Sequence, residues 1–92
     1  MQDNRTDAER TADAERCSLE LVSVLGTATE MLAARGVTAE LRELLHFARD
    51  LHDQILEDLR PKDQELHSFA KLIGERLAIL EEQARSVDRG LN

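Results

Sequence analysis

The chain has 92 residues, two aromatic side chains (Phe47 and Phe69), a single cysteine and a formal charge of −7. One cysteine excludes an internal disulfide, and no Cys/His cluster has the spacing of a structural zinc site. Twelve basic residues scattered among nineteen acidic ones make no basic stripe, which argues against direct contact with nucleic acid or an anionic membrane surface. Ala, Leu, Glu, Arg and Gln dominate, Gly and Pro are few, and no segment alternates apolar and polar residues for long enough to make a strand, so the expected class is all-α.

The opening, Met1-Gln2-Asp3-Asn4, has no apolar run of a secretory signal, and no stretch reaches the roughly 20 apolar residues of a membrane span, so a cytoplasmic location is expected. Residues 1–16 are polar and contain an echo six residues apart, Asp7-Ala8-Glu9-Arg10 and Asp13-Ala14-Glu15-Arg16. They read as helix-prone or disordered sequence with little apolar surface to fix them against a core. Residues 17–92 read as one helical domain.

The first helix is expected over about 18–35, where Leu21, Leu25, Ala28 and Leu32 recur at helical spacing, with Val22 and Met31 widening the stripe. Arg35-Gly36 suits its end, since Gly tolerates left-handed closure and Arg complements the helix dipole. Thr38 is a candidate N-cap for a second helix over about 38–60. Its apolar face runs Leu41, Leu45, Ala48, His52, Ile55, Leu59, with steps alternating between four and three as in a packed helix seam. Pro61 fits the first turn of a third helix over about 61–89. That seam is Leu66, Ala70, Ile73, Leu77, Leu80, Ala84, Val87, with Phe69 beside it, and Gly90 marks its end. The two seams stay in phase across Pro61. Two architectures follow: an up-down-up three-helix bundle, or a long hairpin kinked at the proline with coiled-coil-like seams. Either is expected to self-associate.

Candidate chemistry is sparse. Ala48-Arg49-Asp50-Leu51-His52-Asp53 resembles the phosphoacceptor helix of one class of sensor histidine kinases. The resemblance implies that His52 accepts phosphate and Asp53 assists as its acid–base partner. No glycine-rich nucleotide box is present, so a phosphotransfer module without its own kinase activity is implied. Read from the residues alone, His52 is an amphipathic side chain at a seam edge. His46 and His52 are six apart and diverge on a helix, and Glu43-x-x-His46 occurs once where a di-iron bundle needs two copies, so no metal or cofactor is expected. Cys17 lies next to Arg16 without a Cys–His–Asn arrangement around it, and no catalytic residue is assigned.

The apolar stripes carry the functional expectation: a non-enzymatic adaptor, chaperone or regulator that binds another protein through an apolar helix face. Leu41, Leu45, Ile55, Leu59, Leu66, Phe69, Ile73, Leu77 and Leu80 form either the core seam or the partner surface. Leu32-Ala33-Ala34-Arg35-Gly36 followed by an amphipathic helix is similar in pattern to the small helical chaperones of flagellar and type III export. A third reading is an acidic mimic of nucleic acid that inhibits a nucleic-acid-binding protein.

Overall fold

A computed structural model describes residues 4–88. The order is α1 (Asp7–Arg35), α2 (Ala39–Asp58) and α3 (Gln64–Asp88), an up-down-up three-helix bundle without strands among the described residues. Its long dimension of 46 Å is set by α1, whose 29 residues span about 44 Å at 1.5 Å per residue. α1 and α2 make the most extensive pair, and α3 lies across both.

α1 starts well before Ser18. Thr6 caps it by accepting from the Glu9 amide at 3.1 Å, while the Glu9 carboxylate accepts from the Thr6 amide at 3.1 Å. This is a capping box, and it satisfies two amides that would otherwise lack partners. The helix ends as expected at Gly36, whose φ of 71° puts it where a Cβ would strain the backbone and whose amide donates to the Leu32 carbonyl at 3.0 Å. Thr38 caps α2 through the Leu41 amide at 3.1 Å.

Pro61 does not open α3. Leu59 is extended at φ −63° and ψ 136°, and Arg60–Asp63 closes a turn in which the Arg60 carbonyl accepts from the Asp63 amide at 2.9 Å. Pro61 takes the second position of that turn, where its fixed φ suits it. α3 therefore starts at Gln64, and the chain reverses rather than continuing as a kinked helix. The expected helix end at Gly90 lies outside the described residues.

Asp63 joins the turn to the N-terminal end of α1, since Thr11 Oγ1 donates to Asp63 Oδ2 at 2.8 Å. Arg5 reaches two carboxylates, Asp13 at 2.6 Å and the buried Asp58 at 2.6 Å. Ala14 is fully buried. The polar opening is thus held by ion pairs to Asp58 at the end of α2 and a hydrogen bond to the α2–α3 turn, with Ala14 as its buried apolar contact.

Leu21, Leu41, Ile55 and Leu77 form the fully buried centre of the core, extended by Leu45, Ile73 and Leu80. The seams that in-phase heptads offer to a second copy are thereby covered within one chain.

Candidate functional site

Of the nine residues expected on the seam, Leu41, Leu45, Ile55, Leu59, Ile73, Leu77 and Leu80 are buried in the bundle, Leu66 is half-buried, and only Phe69 reaches the surface at 38 % exposure. The uncovered apolar surface lies elsewhere. On α3 it is Phe69, Leu72, Ile79 and Val87, on α1 Leu19 and Val22, and on α2 Phe47 and Leu56. Leu72 is 61 % exposed and Ile79 is 54 % exposed, where isolated core-type side chains would be buried.

Val22, Phe69, Leu72 and Ile79 border an open groove of about 720 Å³ between α1 and α3. Leu25, Ile73 and Leu80 contribute to its lining, Val22, Gly26 and Thr29 line the α1 wall, and Phe69, Leu72, Arg76 and Ile79 line the α3 wall. The α3 residues are spaced three, four and three apart, so they form a second helical stripe beside the buried one. The doublets Phe69-Ala70, Leu72-Ile73 and Ile79-Leu80 announce it: neighbours on a helix point about 100° apart, so an apolar pair at three of the four turns makes a face wider than one contact can cover.

α1 has the same excess. An eighteen-residue window has mean hydropathy 1.3, yet 28 % of it is buried. By length and composition alone that helix would reach across a membrane. Gly26, Thr27 and Thr29 hide this from a search for unbroken apolar runs.

Two glycines mark the difference between covered and open faces. A Cβ added at Gly26 would meet nothing within 4 Å, whereas one added at Gly74 would lie 2.5 Å from His52 Nε2. Gly26→Ala is therefore expected to stabilise the protein by about 0.5–1 kcal/mol, the helix-propensity gain alone. Gly74→Ala should instead destabilise by about 1 kcal/mol or more, since the ring must shift in a packed interface. Thermal unfolding of the two variants checks the opposite signs.

That packing defines His52. The side chain is 8 % exposed, and Nε2–H donates to the Ala70 carbonyl at 3.2 Å. Nδ1 is buried without a hydrogen-bond partner. Asp53, next in sequence, is exposed. In the folded protein one ring nitrogen is thus engaged by α3 and the other is covered. Arg49 ties the same two helices through Glu81, a hydrogen-bonded ion pair that holds the guanidinium pKa above its ordinary value.

His46 and His67 are exposed, and His67 Nε2 lies 2.9 Å from the Arg60 carbonyl. Among the described residues no three His, Cys, Asp or Glu side chains gather as a metal site would need. Cys17 is buried well inside α1, where burial pushes its thiol above the ordinary value against the opposing pull of Arg16. Such a thiol is a small core residue, not a nucleophile.

No protein family, curated protein or solved structure matches the chain.

Proposed function

We propose that this protein is a non-catalytic interaction module, an adaptor, chaperone or regulator that takes a segment of another protein into the groove between α1 and α3. The observation that carries the reading is the second apolar stripe. The inner seams are used up within the bundle, while Leu19, Val22, Phe69, Leu72 and Ile79 remain uncovered on two adjacent helices. A helical scaffold with an open apolar groove is a common way to bind a peptide helix.

Leu72→Glu/Ile79→Glu tests it. Surface substitutions of this kind alter stability by about 0.5 kcal/mol or less, so the fold should persist in circular dichroism and thermal unfolding. Affinity capture from the source organism should yield a stoichiometric partner with the unaltered chain and lose it with the double variant. Equal capture by both would place binding on another face.

A further inference from the structure

The inference here rests on the docking reading above and concerns what occupies the groove. Its two walls are helices that run the same way, so the lining suits a third helix laid along them, closing a four-helix arrangement. Gly26 sits in the middle of the α1 wall. Nothing in the free protein occupies the space a side chain there would take, and a mid-helix glycine weakens α1 relative to alanine. An incoming helix supplies a reason for it, because the missing side chain allows close backbone approach.

The rim supplies the second argument. Glu30 lines the groove, and Glu15 stands seven residues before Val22 on the same face of α1. On α3, Glu65 stands seven residues before Leu72 on the same face. All three carboxylates are exposed and none makes an ion pair among the described residues. Arg76 shares the lining with Glu30. The chain as a whole carries −7. A second copy would bring the same carboxylates against these, and an anionic lipid surface would be repelled as well.

We propose that the groove between α1 and α3 docks a cationic amphipathic helix of a partner protein, with apolar residues at i, i+3 or i+4, and i+7 against Val22, Leu72 and Ile79, and Lys or Arg flanks over Glu15, Glu30 and Glu65. The acidic rim steers and orients the helix, and the apolar floor and Gly26 set how closely it approaches.

The probe is a displayed library of amphipathic helices of about 18 residues, long enough to hold helix once bound. One face is fixed as Leu and Ile, and the flanks are randomised among Lys, Glu and Gln. Selected against the full chain, the enriched helices are expected to carry Lys-rich flanks. Their binding should weaken with added salt and fall by about tenfold or more with Ile79→Glu. Gly26→Leu, which fills open space and favours helix, should also block binding while the chain remains folded. Enriched helices with neutral or acidic flanks that still depend on Ile79 and Gly26 would overturn the cationic partner and leave helix docking standing. Failure to enrich any Ile79-dependent helix would overturn docking itself. A dimer in sedimentation, or binding to phosphatidylcholine vesicles, that is lost with Ile79→Glu would assign the groove to a second copy or to lipid and overturn the proposal.

Discussion

Arg5→Ala is expected to destabilise the protein by about 2–3 kcal/mol, a large loss for a residue outside every helix. The Asp58 side chain is 2 % exposed and ends α2. A carboxylate there meets the negative end of the helix dipole and has lost most of its water, two costs that a cation must offset. Arg5 supplies it in a fork: Nη2 donates to Asp58 Oδ1 at 2.6 Å and Nη1 to Asp58 Oδ2 at 3.1 Å. Nη1 also reaches Asp13 Oδ2 at 2.6 Å, so one guanidinium joins the start of α1 to the end of α2. Gln54 Nε2 adds a bond to Asp58 Oδ2 at 3.0 Å without adding charge. Arg5 is itself partly exposed, which is why the expected loss lies below that of a fully buried pair. Arg5→Lys should recover only part of it, since an ammonium cannot make the fork. Chemical denaturation measures both. Combining Arg5→Ala with Asp58→Asn should cost less than the sum of the single changes, because the charge that Arg5 offsets is gone. A loss under about 0.5 kcal/mol for Arg5→Ala would mean that the N-terminal segment contributes little to the fold.

Leu77→Ala is expected to cost about 3 kcal/mol. Leu77 is fully buried in α3, with Ile73 and Leu80 one turn away on the same face, and removing its branched end leaves a hole that rigid helices close only in part. In a chain of this size that loss is a large share of total stability. The denaturation midpoint should fall while the denaturant dependence stays the same, as for a change in packing and not in the extent of unfolding.

What the sequence made legible is what local rules govern. Gly36 and Thr38 act as helix boundaries because their backbone and side-chain chemistry is decided within a few residues. The buried seams follow from spacing alone. The break at Pro61 was one of two readings because heptad phase carries no information about whether a chain turns; the Arg60–Asp63 turn decides it. The opening segment was harder. Thr6-x-x-Glu9 fits the capping-box pattern in the sequence itself, yet the contacts that hold the segment pair Arg5 with Asp58 and Thr11 with Asp63. Those partners are more than fifty residues apart, and no periodicity links them.

Of the nine residues named for the seam or the partner surface, Phe69, Ile73 and Leu80 reach the groove lining, and Phe69 alone of them is exposed. The seam residues assigned beside it to core or partner are mostly core, because the strongest repeats are the ones the bundle itself consumes. The open face is made by weaker repeats interrupted by Arg76 and Gln83, and by Val22 and Leu25, which belong to the first-helix stripe but sit on its outer side. His52 shows the converse. Its six-residue context resembles a reactive helix, while its surroundings, Gly74 and the Ala70 carbonyl on α3, are set by tertiary packing that a local string does not encode.

The most direct test of the account compares two neighbours in the chain, Ile79 and Leu80, by the stability of Ile79→Ala and Leu80→Ala under the same denaturant. Ile79 is 54 % exposed on the groove wall and Leu80 is 5 % exposed in the core. The account predicts a loss of about 2–4 kcal/mol for Leu80→Ala and about 0.5 kcal/mol or less for Ile79→Ala. Equal, large losses would place Ile79 inside the folded protein, remove the open apolar face and contradict the account.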